Sequence, residues 1–527
     1  AKMIYPNNFE QKIGFNDIRS LLHERCLSTL GREQVDSMEF SIDTLQINRW
    51  LTEVREFRNI QEGLEPFPLD NVFDVRASVA RIRLEGTYME EDELFDLKRS
   101  LETIIAVVKF LSVGEELPNG EIQHTYPALY ALSDGVATFP ILVQRISQII
   151  DKFGKMRDSA SSDLLQIRRE LARVESSISR TLNSILHSAQ NEGVVERDVT
   201  PTMRDGRLVI PVAPGMKRKI SGIVHDESAT GKTVFIEPTE VVEANNKVRE
   251  LENEERKEII RILREFAKQV RPYVHEILDS YHFLALIDFI RAKAELARML
   301  KAIEPEVKSE PHIDFIRAIH PLLQLALAKK QHSTINNDKP DVVIPLDIQL
   351  TIDKHLLIIS GPNAGGKSVC LKTVGLLQYM LQCGISIPVS ERSTAGTFQN
   401  LMIDIGDEQS IENDLSTYSS HLMNMKTMMK QADSHTLILI DEFGTGTEPQ
   451  IGGAIAEAVL KQFWKKQAWA VITTHYQNLK HFAEDHKGVV NGAMLYDRHE
   501  MRPLFQLAIG RPGSSFAIEI ARKTGIP

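Results

Sequence analysis

Residues Gly361 to Ser368 read Gly-Pro-Asn-Ala-Gly-Gly-Lys-Ser, directly after the apolar run Leu356-Leu357-Ile358-Ile359. A strand, a glycine loop and a helix in that order make a phosphate cradle. Gly361, Pro362, Asn363, Ala364, Gly365 and Gly366 let successive backbone N–H groups converge on a polyphosphate, and the following helix adds its unpaired N–H groups and the positive end of its dipole. Lys367 reaches the β and γ phosphates, and Ser368 offers the hydroxyl for a magnesium ion (Mg2+) that bridges the same oxygens. Binding of ATP or GTP follows. The alternative, a glycine turn before an ordinary helix, accounts neither for the full spacing nor for the strand.

Two further apolar strands end in groups that belong beside phosphates. Leu437-Ile438-Leu439-Ile440 runs into Asp441-Glu442 and then Phe443-Gly-Thr-Gly-Thr447. In nucleotide-hydrolysing sites the first such carboxylate holds the magnesium and the second polarises the attacking water, roles that Asp441 and Glu442 fit. Val471-Ile-Thr-Thr-His475 ends on a histidine, which either hydrogen-bonds the γ-phosphate or plays a structural part. The stretch Asn413 to His421 places Ser416 and Thr417 ahead of the helical pattern Leu422, Met425, Met429. These hydroxyls either cap their own helix or close on phosphates held by a second molecule's cradle.

A chain of 527 residues has room for about three or four domains. Up to about residue 300 helical periodicity dominates: Leu94, Leu97, Leu101, Ile104 and Val108 alternate by three and four, as do Leu164, Ile167, Leu171, Val174 and Ile178. A third such stretch runs from Val241 to Val270, where Pro272 interrupts it. Helices of that length read as levers or as members of a bundle. The expected fold class is therefore α/β and α: a mostly helical half with a small β-rich insertion, followed by a P-loop domain. The expected segments are 1–193 (helical core and first long helix), 194–238 (β-rich tip), 239–304 (second long helices) and 311–527 (P-loop domain), the last beginning after the proline-flanked run Glu304 to Pro311.

Within 194–238, Arg207-Leu-Val-Ile-Pro211, Ile220-Ser-Gly-Ile-Val224 and Thr233-Val-Phe-Ile-Glu237 read as three short strands. Arg204, Arg207, Lys217, Arg218, Lys219 and Lys232 outnumber Asp205, Asp226 and Glu227 there, against a formal charge of −10 for the whole chain. Such a basic tip either takes a phosphate backbone or is only a solvated loop. Cys26, Cys370 and Cys383 make no metal-ligand spacing and no disulfide framework. The N-terminal stretch lacks an apolar signal core and no apolar run is long enough to cross a bilayer, so the expectation is a cytoplasmic protein with no membrane partner.

With these motifs in view, residues 313 to 527 resemble the ATPase domain of the MutS family, a branch of the ABC-type ATPases used in DNA repair. Gly361 to Ser368, Leu415-Ser-Thr-Tyr-Ser-Ser-His-Leu422, Asp441 to Thr447 and Thr473-Thr-His-Tyr476 stand in the family's order. Asp158-Ser-Ala-Ser161, Gly222-Ile-Val-His-Asp-Glu-Ser228 and Phe235-Ile-Glu-Pro238 resemble its lever and clamp segments. The resemblance implies ATP as the nucleotide and a homodimer in which each nucleotide lies between one subunit's P-loop and the other's signature, with Ser416 and Thr417 acting in trans. It also implies a catalytic part for His475, levers in the long helices, and DNA at the basic tip.

The chain departs from mismatch-reading members, which carry an additional N-terminal domain with a Phe-x-Glu wedge and a connector domain. The Phe-x-Glu at Phe235-Ile236-Glu237 belongs to the strand-like run before Pro238, and Phe15-Asn-Asp-Ile-Arg-Ser-Leu-Leu22 is similar to the start of the second MutS branch. That branch commonly continues into a small Smr-type nuclease domain, whereas this chain stops at Gly525-Ile526-Pro527, so nuclease activity is not expected from the residues present. The implied function is an ATP-dependent dimeric clamp on branched or distorted double-stranded DNA in recombination control or DNA repair. A ribosome, split or rescued by the same levers, is the alternative partner. A motor for a membrane transporter fits the ATPase chemistry alone. For the adenine, the loop at Val342 and Val343 stands at a suitable distance before the P-loop, without a sharp signature.

Overall fold

The computed structural model describes residues 2–70, 72–333, 343–361, 366–406, 414–497, 499–500, 502–510, 522 and 525, with the side chains of 331–333, 414–416 and 502–503 left aside. Its fold is mixed α/β. The chain divides into two compact units, one made of Ala1–Pro68, Val108–Asp134 and Phe283–Pro527, the other of Leu69–Val107 and Gly135–His282. Among the described residues no helix is long and apolar enough to cross a membrane.

The first unit is built on a sheet whose seven described strands run in the order Met3–Tyr5, Asn400–Asp404, Thr436–Ile440, Trp469–Thr473, Leu356–Ser360, Val489–Asp497, Arg502–Ile509. All neighbours pair in parallel except the last two strands. Four of the central strands are buried at every position, which is what unbroken Leu, Ile and Val runs require of a parallel sheet covered on both faces. The helix Lys367–Gln382 covers one face and is itself buried along nearly its whole length. Gly375 lets it approach that closely, because a Cβ there would stand 2.5 Å from Ile13 and 2.9 Å from Leu439. Two of its buried amides reach across to neighbouring backbone: Gln382 Nε2 donates to the carbonyls of Ser41 and Phe398, and Gln378 Nε2 donates to Gly396 O.

In the second unit the helices Ser162–Asn191 and Thr239–Val270 pair along their length, the second about 48 Å long at 1.5 Å per residue. A 3-10 turn at Arg271–Tyr273 ends it where Pro272 cannot continue the hydrogen-bond ladder. Between them the clamp is a four-stranded antiparallel sheet in the order Thr202–Arg204, Arg207–Val212, Val234–Pro238, Gly222–Glu227. Thr202–Arg204 is a strand beyond the three legible in the sequence, and the second of those begins at Gly222 rather than Ile220. One core joins this sheet to the helix ends: Ile178, Leu182 and Leu186 from the first helix, Val241 and Val248 from the second, and Ile210, Val234 and Ile236 from the sheet.

The clamp also buries a charge. Glu237 is fully buried and receives both Nη1 contacts of Arg207 at 2.5 and 2.8 Å, with His225 Nε2 2.6 Å away. Removing the cation strands the carboxylate. Arg207→Met is expected to destabilise the clamp by about 3 kcal/mol, read as faster amide exchange in Val234–Pro238, and the added change Glu237→Gln is expected to restore most of it. Unchanged exchange in Arg207→Met would show that His225 alone satisfies the carboxylate.

Candidate active site

The carboxyl ends of three neighbouring strands, Thr436–Ile440, Trp469–Thr473 and Leu356–Ser360, open onto one edge of the sheet, where open α/β folds bind ligands. Gly366 caps the helix Lys367–Gln382 at φ +89°, a conformation that favours glycine, and a Cβ there would stand 2.9 Å from the Phe505 ring. Pro362, Asn363, Ala364 and Gly365 lie outside the described residues, as do Val342 and the side chain of Ser416.

Five of the residues singled out by the sequence meet at this edge. Ser368 Oγ donates to Asp441 Oδ2 at 2.6 Å. Lys367 Nζ is 3.4 Å from Glu442 Oε1 and His475 Nε2 is 2.8 Å from Glu442 Oε2. Burial by itself would raise the Glu442 carboxyl, but the His475 contact and the Lys367 charge outweigh it and hold its pKa below the ordinary glutamate value. Glu442 is thus ionised at neutral pH, as a group that polarises water must be.

Backbone geometry aims that carboxylate. Glu442 has φ +53°, which costs a non-glycine residue about 1 kcal/mol. Three hydrogen bonds hold it: its N–H donates to Thr473 Oγ1 at 2.7 Å, the Phe443 N–H to Thr473 O at 2.9 Å, and Thr445 Oγ1 to Glu442 O at 3.0 Å. Thr473 Oγ1 in turn donates to Asp441 Oδ1 at 2.7 Å, so one hydroxyl orients both carboxylate residues. Thr473 was not singled out by sequence reasoning, although a hydroxyl two residues before His475 at a strand end was a signal available in the motif.

The chemistry of its own groups fits the site to a nucleoside triphosphate. Lys367 is 1% exposed, and among the described residues the one contact to its Nζ is the Glu442 oxygen at 3.4 Å. A buried ammonium left so is costly unless a multiply charged anion meets it. Ser368 and Asp441 are hard oxygen donors already in contact, a pair suited to magnesium, which takes one or two protein oxygens and fills the rest of its shell with phosphate and water.

Other expected residues stand apart. The helix Asp414–Gln431 begins before the hydroxyl run, so Ser416 and Thr417 stand in its first turn rather than ahead of it. Among the described residues Thr417 makes no hydrogen bond to Lys367, Ser368, Asp441, Glu442 or His475. At the clamp, Lys217, Arg218, Lys219 and Lys232 are exposed and form no ion pair among the described residues. Arg204 is exposed, 4.1 Å over the Phe235 ring and 3.9 Å from Asp226. Arg207 departs from the expectation of a DNA contact: its side chain is 12% exposed and is engaged by Glu237.

Residues 357–527 match the family described as MutS domain V. Over its length the chain is similar to proteins named Endonuclease MutS2. It is 36% identical to that of Geobacillus sp. (strain WCH70) over 513 residues, 97% of this chain and 62% of the relative. To that of Enterococcus faecalis it is 36% identical over 514 residues, 98% and 62%, and to that of Finegoldia magna 38% identical over 512 residues, 97% and 62%. The chain thus spans 62% of the length of these relatives.

Lys367→Met replaces a buried ammonium, held among the described residues by Glu442 alone, by an apolar chain of similar length. The nucleotide-free protein is expected to keep its thermal stability, while affinity for ATP falls by about two orders of magnitude. Fluorescent-nucleotide titration beside a thermal melt checks both, and undiminished binding would overturn the placement of the phosphates.

Proposed function

Because this chain belongs to the MutS family, in the branch of the MutS2 proteins, we propose that it is a cytoplasmic, Mg2+-dependent, homodimeric ATPase. On this reading it closes as a clamp on branched or distorted double-stranded DNA in recombination control or DNA repair. The observation that carries the ATPase reading is the buried ammonium of Lys367 facing Glu442 and His475, with Ser368 and Asp441 alongside. The proposal for residues 1–527 is this ATPase and clamp, not the endonuclease in the relatives' name.

In the proposed cycle Lys367 takes the β and γ phosphates, and Gly361 and Gly366 flank the loop that cradles them. Ser368 and Asp441 would hold a magnesium ion, which when bound would supply charge neutralisation for the phosphoryl oxygens. Glu442, kept ionised, orients and polarises the attacking water, and His475 bridges Glu442 to the γ-phosphate. Ser416 and Thr417 of the second subunit complete the site. The paired helices Ser162–Asn191 and Thr239–Val270 act as levers, and Arg204, Lys217, Arg218, Lys219 and Lys232 at their tip contact the DNA backbone.

Two measurements test the reading. Glu442→Gln is expected to slow hydrolysis by about a hundredfold or more while retaining ATP, so that dimers accumulate in light scattering; hydrolysis at the parent rate would refute the role given to Glu442. Purified protein is expected to bind four-way junctions more tightly than perfect duplex. Lys217→Glu with Lys219→Glu should weaken that binding and flatten its salt dependence by about 0.9 in log–log slope for each phosphate no longer neutralised. Preference for mismatched duplex, or copurification with ribosomes in a non-hydrolysable ATP analogue without junction binding, would displace DNA branches as the target.

A further inference from the structure

The helix Asp414–Gln431 is seated on the sheet through one polar relay that the nucleotide chemistry does not use. Asp404 ends the strand Asn400–Asp404, is 3% exposed, and spends both carboxylate oxygens on that helix. His421 Nδ1 lies 2.6 Å from Oδ2, and Asn424 Nδ2 donates to Oδ1 at 3.3 Å. His421 and Asn424 are three residues apart and so share a helix face. The relay continues outward: the hydroxyl of Tyr5, on the edge strand Met3–Tyr5, donates to Asn424 Oδ1 at 2.7 Å. It also continues inward, because the Asp441 N–H donates to the backbone carbonyl of Asp404 at 3.0 Å. One turn earlier on the helix, Tyr418 packs on the loop after Glu442: a Cβ built on Gly446 would stand 3.3 Å from Tyr418 Cβ.

One residue therefore fixes two things: Asp404 holds the start of the Asp441-Glu442 pair through its backbone and the signature helix through its side chain. A buried carboxylate with both oxygens engaged is a stiff anchor, since a tilt of the helix would stretch or break a hydrogen bond to it. Ser419, Ser420 and Met423, on the same helix, remain exposed.

We propose that Tyr5, Asn424, His421 and Asp404 are positioning residues for the site completed in trans. By this reading they set where the first turn of the signature helix stands relative to the magnesium and water-polarising carboxylates of its own subunit, and so how it meets the nucleotide of the partner. The proposal rests on the dimeric reading above. It assigns Tyr5, 419 positions from Asn424, a part in hydrolysis although it touches neither nucleotide nor reacting atoms.

The test uses Asn424→Ala, which removes the middle of the relay, and Tyr5→Phe, which removes one hydroxyl and leaves the edge strand in place. Affinity for a fluorescent ADP analogue, a property of the P-loop in the same subunit, is expected to stay within about twofold, while kcat falls about fivefold in Asn424→Ala and about twofold in Tyr5→Phe. The decisive readout is complementation with Lys367→Met, whose P-loop is disabled but whose signature helix is intact. Half the dimers in an equal mixture of Asn424→Ala and Lys367→Met join one intact P-loop to one intact signature helix, so the mixture is expected to hydrolyse roughly threefold faster than the average of the two alone. A residue that mattered only for folding would lower ADP affinity and melting temperature and gain nothing from mixing. If the parent dimerises with ATP yet both variants turn over at its rate, or mixing gives only the average, this inference falls alone. A parent that stays monomeric with ATP overturns the dimeric reading and this inference with it.

Discussion

The constraint on which the nucleotide-binding unit depends is the burial of one ammonium group. Lys367 is 1% exposed, at the first turn of a helix that is itself buried, and among the described residues its ion pair is with a single glutamate oxygen 3.4 Å away. Removing such a charge from water costs several kcal/mol, and one carboxylate shared with a histidine returns only part of it. A protein keeps that arrangement where a polyanion is the intended partner. The surroundings serve the same end: four central strands buried at all positions form a rigid floor, and Gly366 at φ +89° turns the loop into the helix so that Lys367 enters at its start.

The same ammonium governs the neighbouring carboxylate. Glu442 lies between Lys367 and His475, and those two contacts keep it ionised against the pull of burial. Any anion that engaged Lys367 would compete with Glu442 for one cation and so loosen one restraint on the carboxylate. His475 and the backbone then hold its direction. That explains why the backbone there is strained and pinned. The positive φ of Glu442 survives because Thr473 accepts its N–H while donating to Asp441, tying both acids to the neighbouring strand.

Much of this was legible in the chain because its signals are local. Apolar runs bounded by glycine or by paired acids read as buried parallel strands, and their ends had to lie beside the cradle. The three-four spacing of Leu164 to Ile178 and of Val248 to Val270 announced the long helices, and Pro272 their break. What stayed illegible is non-local. Met3–Tyr5 is too short to carry a pattern, yet it pairs with Asn400–Asp404 and brings Tyr5 to Asn424 across most of the chain. Thr202–Arg204 was hidden for the same reason, since a three-residue strand is defined by its partner rather than by its own residues. The helix Asp414–Gln431 starts earlier than its apolar pattern, because its first turns carry hydroxyls and polar groups that periodicity does not count.

Counting charges along the clamp overstated what is available to a ligand, and the reason is instructive about basic tips in acidic proteins. Arg207 is one of the cations singled out in that stretch, but it faces inward to neutralise the fully buried Glu237, helped by His225. Arg204 lies over Phe235 within 3.9 Å of Asp226, which restrains its guanidinium without burying it. What remains exposed is Lys217, Arg218, Lys219 and Lys232, on or beside the turns at the ends of the short strands. Four exposed cations on loops are the kind of surface that would meet a phosphate backbone through charge, and any such contact would be governed by salt rather than by base sequence.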